Sequence, residues 1–236
     1  MKKIKLQVPL SLNDIPLYQY QDFQKILKAN EGAESSTFVE MKMLEIFCGA
    51  KMEDIRNCDM SLFKVAADQM NLVLSDKEYT HRTIINIKGK EYGFIPKLED
   101  MTMGEYVDLE STLSSPDLFH KAMAVMYRPI INKARDTYEI EPYEAKAEIE
   151  NAMQYAGLSD VFASMLFFWN LGNALVKNIA HSLNPATSEV TQAPSEGVKG
   201  SVKNGAGINH SFTSLEEMLQ DLTKLRDSLL NSASLN

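Results

Sequence analysis

The sequence predicts a mainly α-helical fold with a small β-hairpin or sheet, an α+β arrangement, followed by a linker and a C-terminal amphipathic helix. Three observations lead there. Apolar residues recur at helical spacing through several segments between Leu17 and Leu183, whereas His81 to Ile95 switches to strand-like runs around a glycine turn. From Asn184 to Ser211 the large apolar residues almost vanish. With 236 residues and 44% hydrophobic content, the chain has enough material for a sizeable core. The organisation expected is a helical core domain over 1–183 with a hairpin near 82–95, a flexible linker over 184–211, an amphipathic helix over 212–231 and a disordered tail over 232–236.

Taken in order, Lys3 to Val8 reads as a short strand ended by Pro9, and Leu17 to Lys28 as a helix with Tyr20, Phe23, Ile26 and Leu27 on its apolar side. Ser36 to Phe47 is a second helix, with Phe38, Met41, Leu44 and Phe47 expected inward and Gly49 suited to a left-handed C-terminal cap. A helical turn follows at Met52 to Asn57. The next helix, Ser61 to Leu74, has Leu62, Val65, Ala66, Gln69 and Val73 on or near one stripe, again expected inward. "RTIINI", "KGK" and "EYGFI" then signal the hairpin.

A repeated string comes next. "QVPLSLNDIPLYQYQDFQKIL" (Gln7 to Leu27) and "GFIPKLEDMTMGEYVDLESTL" (Gly93 to Leu113) share apolar, Pro, a short polar step, Leu-x-Asp, apolar-x-apolar-x, Gln or Glu, Tyr-x-Asp and apolar. The first copy has one extra residue after its proline. In the second, Thr102 and Glu105 form a capping box that starts a helix at Met103, each side chain satisfying a backbone donor of the other. Pro16 takes the equivalent slot in the first copy, where a missing N–H is tolerated. Tyr106 is expected to be buried as Tyr20 is, with the acidic residues of the helix facing solvent.

Ser115 to Tyr127 is a further helix, opened by "SSPD" and closed before Pro129, with Arg128 as a cationic cap at its end. "YRPIINKARDTYEIEPY" reads as a connector with some extended character. Tyr143 to Tyr155 and Ser159 to Leu183 complete the core, the latter apolar on nearly every face and therefore central. Residues 184–211, rich in Pro, Ser, Gly, Asn and Thr, cannot offset the entropy of ordering. Beyond them Leu215, Met218, Leu222, Leu225 and Leu229 follow 3-4-3-4 spacing behind a Ser214–Glu217 capping box. A helix of that length is marginal alone in water, so it calls for a partner: its own domain, a second copy or another protein.

Composition excludes several functions. A net charge of −8 argues against nucleic acid as the partner, since each phosphate contact needs a Lys or Arg. The N-terminus lacks the apolar run of a secretory leader, and the most apolar stretch, Val161 to Val176, is interrupted by Asn170 and Asn173 and is too short for a membrane span. Cys48 and Cys58 make neither a zinc site nor a disulfide framework and read as reduced thiols. Catalytic motifs are absent: no Gly-x-Ser-x-Gly, no His-Glu-x-x-His, no phosphate loop. The acidic set Glu99, Asp100, Glu105, Asp108, Glu110 and Asp117 has no histidine at ligand spacing; a metal-dependent enzyme built on helix 103–113 is the remaining enzymatic alternative. Neither a metal nor another cofactor is expected.

Two features point to protein binding. Tyr127 and Arg128, residue types enriched at binding hot spots, stand at the expected helix end, and the 13 methionines suit adaptable apolar surfaces. With Leu215, Met218, Leu222, Leu225 and Leu229 they form the candidate partner-binding set.

The strings "PLSLNDIPLYQYQDF", "IFCGAKMEDIRNCDMSLF", "FIPKLEDMTMGEYVDLE" and "LFHKAMAVMYRPI", in that order between Val8 and Leu183, resemble virion-morphogenesis proteins of tailed bacteriophages. The resemblance implies a non-enzymatic role, as a tail assembly chaperone working in the host cytoplasm or as a permanent structural protein of the tail or neck. Its partners would be other phage structural or tail proteins, with self-association through the C-terminal helix as a further option. It supplies no catalytic residues.

Overall fold

A computed structural model describes residues 6–30, 36–76, 79–113, 115–135 and 137–168. The linker (184–211), the amphipathic helix (212–231), the tail (232–236) and the central helix beyond residue 168 lie outside the described residues.

The helices come first: α1 (Leu17–Ala29), α2 (Thr37–Cys48), α3 (Met52–Arg56) and α4 (Met60–Leu74). Ser36 caps α2 by accepting the Val39 N–H, and Gly49 closes it at φ 63°, the left-handed conformation expected of that glycine. Asp59 caps α4 by accepting the Ser61 N–H at 2.8 Å. The sheet then begins with β1 (Ile84–Ile87) and β2 (Lys90–Phe94), joined by Lys88 and Gly89, both at positive φ, with the Gly89 N–H donating to Asn86 Oδ1 at 2.9 Å.

Two helices, α5 (Met103–Leu113) and α6 (Phe119–Met126), separate β2 from β3 (Tyr127–Ala134) and β4 (Thr137–Ile140). The strands pair antiparallel in the order β1-β2-β3-β4. Gly93 sits opposite Arg128, and a side chain there would collide with the Tyr138 ring, so the close approach of β4 requires glycine. After β4 come α7 (Ala147–Met153) and α8, which covers 158–168 within the described residues. One core runs through both halves, with Tyr20, Phe23, Met43, Leu44, Met70, Phe119, Met123, Tyr127 and Phe162 among its most buried members.

The fold class is the expected one, and four local expectations change. Residues 6–9 form no strand; Leu6 and Val8 alternate because they pack on the core. The helix expected to run to Tyr127 stops at Met126: Pro129 disfavours helical backbone at Arg128, and Tyr127 and Arg128 pair with Phe94 and Gly93 as strand residues. The stretch read as a connector is the β3–β4 hairpin, turning through Arg135 at φ 52°. The helix expected from Tyr143 begins only at Ala147.

The inward faces of α2 and α4 also differ from expectation. In α2 it is Val39, Met43, Leu44, Phe47 and Cys48 that are buried, while Phe38 is exposed. In α4 it is Phe63, Ala66, Ala67, Met70 and Val73, so of the expected stripe only Ala66 and Val73 face the core. Both helices carry apolar residues on more than one side, and periodicity alone does not select between them.

Candidate functional site

The rotation of α4 leaves an apolar line in solvent. Leu62, Val65 and Leu72 are 57%, 63% and 72% exposed, and with the exposed Gln69 they follow 3-4-3 spacing, which keeps them on one side of the helix. Glu40 of α2 identifies one flank: burial, then the charge of Asp68, raises its carboxyl above the usual range, while Lys64 opposes. Isolated exposed leucines need no explanation, but several on one helix face mark an interaction surface.

Tyr127 and Arg128 lie in the interior, so neither is presented to a partner; this corrects the expectation of a surface recognition pair. The Tyr127 hydroxyl donates to the Arg82 carbonyl at 2.6 Å, lies 3.1 Å from Ser164 Oγ, and its ring meets Phe94 edge-on at 5.2 Å. Burial raises its phenol well above the ordinary range. Close by, Arg82 and Asp160 form a two-point ion pair that ties the approach to β1 onto α8.

Arg128 pairs with Glu105 at 3.0 Å, the two side chains only 9% and 4% exposed. The same carboxylate completes the capping box: Glu105 Oε2 accepts the Thr102 N–H at 2.6 Å, and the Glu105 N–H donates to Thr102 Oγ1 at 3.2 Å. Burial lowers the Arg128 guanidinium below its usual range, with Glu105 opposing. Arg128 Nε has no hydrogen-bond partner among the described residues. Glu105 is thus no part of a solvated acidic face. It sits one turn before Leu109 on the buried stripe that continues through Thr112 and Leu113, a signal present in the sequence.

A cleft of about 220 Å³ opens between α5, α6, the segment before α7 and α7 itself. Tyr143 donates to Asp108 Oδ2 at 2.7 Å, Lys121 lies 3.9 Å from Glu150, and Lys146 bridges Glu141 and Glu144 at 3.4 and 3.2 Å. These charges face one another and gather no single sign for a ligand.

Among the described residues no three His, Cys, Asp or Glu side chains converge as metal ligands. His81 stacks on Phe167 with centroids 4.8 Å apart, and His120 lies 3.3 Å from Gln21 Nε2; burial lowers both imidazoles below their ordinary range. Cys48 is buried and its thiol pushed up to about 11, while Cys58 is half-buried. No described helix is long and apolar enough to cross a membrane. Leu215, Met218, Leu222, Leu225 and Leu229 lie outside the described residues.

The exposed line on α4 was not expected: Leu62, Val65 and Gln69 belong to the stripe expected inward, and Leu72 was not part of it. Leu62–Val65–Gln69–Leu72 and Phe63–Ala66–Met70–Val73 are both helix-spaced sets, and only the tertiary neighbours decide which one faces inward. Compared with family models, curated proteins and solved structures, the chain matches none.

Proposed function

We propose that the chain is a non-enzymatic phage assembly factor, a tail assembly chaperone of the host cytoplasm that holds an apolar helical segment of another tail protein on the solvent face of α4. The observation that carries the binding role is the exposed Leu62–Val65–Leu72 line on a helix whose other side is anchored in the core. A second amphipathic helix laid along that line removes apolar surface from water on both partners, the helix-in-groove mode of recognition. The phage setting rests on the resemblance of the four strings between Val8 and Leu183. A permanent subunit of the tail or neck would use the same face, and mass spectrometry of purified particles separates the two: a chaperone is absent, a subunit present.

The binding reading is tested by affinity capture from infected cells with the parent chain and with the variant Leu62→Glu plus Val65→Glu. Both positions are exposed, so the fold is retained. One tail protein recovered with the parent and reduced about tenfold or more with the variant is the expected result, a loss typical of a hot-spot contact. Equal recovery with both, or no recovered protein, overturns it.

A further inference from the structure

The apolar line on α4 is bordered on one side by unbalanced negative charge. Asp68 comes three residues after Val65 and four before Leu72, so it stands beside the line on the exposed half of the helix. Glu40, half-buried on α2, faces the same border: burial and then the charge of Asp68 raise its carboxyl, with Lys64 opposing. Among the described residues neither carboxylate accepts a hydrogen bond or joins an ion pair, whereas Glu45 on the same helix as Glu40 pairs with Lys42 at 2.6 Å and Glu91 with Lys133 at 2.8 Å. We infer that the segment held on α4 is an amphipathic helix with basic residues in a row beside its apolar seam, placed so that a Lys or Arg meets Asp68 and Glu40. This deepens the assignment of the α4 face and rests on it, by naming the chemistry of the occupant.

The line and its border do different work. Burying Leu62, Val65 and Leu72 attracts any apolar helix face, whereas the charge beside them discriminates among such faces. Leu62 to Leu72 spans about 15 Å of helix, so the occupant needs about three turns of contact. In heptad terms Leu62 and Gln69 take a positions, Val65 and Leu72 take d positions, and Asp68 is the g residue next to them. A g residue meets an e residue across a parallel pair and a g residue across an antiparallel one, so a basic row flanking the seam reaches Asp68 in either direction. The same cation relieves Glu40, whose charged form burial disfavours. Lys64, one turn before Asp68, leaves the border one unit negative, two carboxylates against one ammonium. An acidic row would therefore meet like charge. A second copy is disfavoured for the same reason, since pairing about a two-fold axis sets this border against its own image.

The test uses the full chain and two synthetic helical peptides of about 18 residues that share one leucine seam, the first flanked by lysines and the second by glutamates. Fluorescence anisotropy gives the ratio of their dissociation constants. At low salt the lysine peptide should bind the parent at least about tenfold more tightly, and Leu62→Gln plus Val65→Gln should weaken its binding about tenfold. Asp68→Lys should cut the ratio about two- to fivefold, with a smaller fall for Glu40→Gln. Glu139→Lys, at an exposed position on β4, changes the net charge as much as Asp68→Lys and should leave the ratio unchanged, which separates a contact at α4 from the general attraction of an acidic chain for cations. No binding, no preference, equal falls with Asp68→Lys and Glu139→Lys, or binding that survives Leu62→Gln plus Val65→Gln overturns the inference. So does a dimer, seen by sedimentation, that the same double variant dissolves. Peptides of equal affinity beside a positive capture result would remove the basic row and leave the docking reading intact.

Discussion

In the first copy of the repeated string, Leu12–Asp14 forms a 3-10 turn, Ile15 and Pro16 run extended and α1 starts at Leu17; in the second, Leu98–Asp100 turns likewise, Met101 runs extended, and α5 starts at Met103 right after Thr102. Local backbone follows the shared pattern almost residue for residue. Burial does not. Leu17 is fully buried whereas Met103 at the same position is 74% exposed, and Leu12, Ile15 and Tyr20 are core residues where Leu98, Met101 and Tyr106 are only partly covered. Tyr106 therefore does not repeat the role of Tyr20. Only Phe23 and Leu109 are buried alike.

The cause is what packs over each copy. The first is clamped by the turn between α7 and α8: the Leu17 N–H donates to the Ala156 carbonyl at 2.9 Å, Tyr18 N–H to Gln154 at 2.9 Å, and Leu158 N–H to Ile15 at 2.8 Å. Gly157 fits there because a side chain would strike Asn13. The second copy has no such clamp among the described residues and is tied down by the Glu105–Arg128 pair instead. One device is held by apolar burial and the other by a buried charge.

That difference predicts the largest effect. Glu105→Gln leaves Arg128 as an uncompensated buried cation and should cost about 3–5 kcal/mol, whereas Gln19→Ala, the matched site in the first copy, should stay within about 0.5 kcal/mol. Glu105→Leu combined with Arg128→Met should recover much of the loss, because a well-packed apolar pair avoids desolvating two charges. Equilibrium urea denaturation of the four chains measures this; equal losses at Glu105 and Gln19 would erase the distinction between the copies.

The next contrast inverts the roles. Leu17→Ala should cost about 2–5 kcal/mol by leaving a cavity, while Met103→Ala, in solvent, should change stability by no more than about 0.5 kcal/mol. Thermal unfolding with matched denaturant curves reads both. If Met103→Ala proved as costly as Leu17→Ala, some part of the chain would have to cover α5.

These contrasts also define what was legible in the sequence. Caps and turns were, because their causes are local: Ser36, Gly49 and the Thr102–Glu105 box act within a few residues of themselves. The β1–β2 hairpin was, since its turn glycine and buried Ile85 and Ile87 carry the signal. The β3–β4 hairpin was not, because most of its residues are exposed or half-buried and leave no two-residue apolar period. The facing of α2 and α4 depends on which neighbours cover them, and the Glu105–Arg128 contact joins residues whose pairing no local spacing announces. The candidate site shared that fate: Leu62, Val65 and Gln69 carry a helical period, but their direction is a tertiary fact.

The smallest effect tests the one position where the copies use different chemistry for one task. Thr102→Ala removes a side-chain acceptor for the Glu105 N–H and should cost about 1 kcal/mol. Thr102→Pro grafts the first copy's residue onto the second and should cost more than Ala, although Pro16 serves α1 well. Proline has no N–H, so Glu105 Oε2 would lose the donor that now sits at 2.6 Å. In the first copy nothing is lost, because the matched residue is Gln19, whose side chain carries no charge to satisfy. Far-ultraviolet circular dichroism melts of the two variants rank them directly. A proline variant as stable as the parent would mean that Arg128 alone holds Glu105 in place, and that the capping box contributes nothing beyond setting where α5 begins.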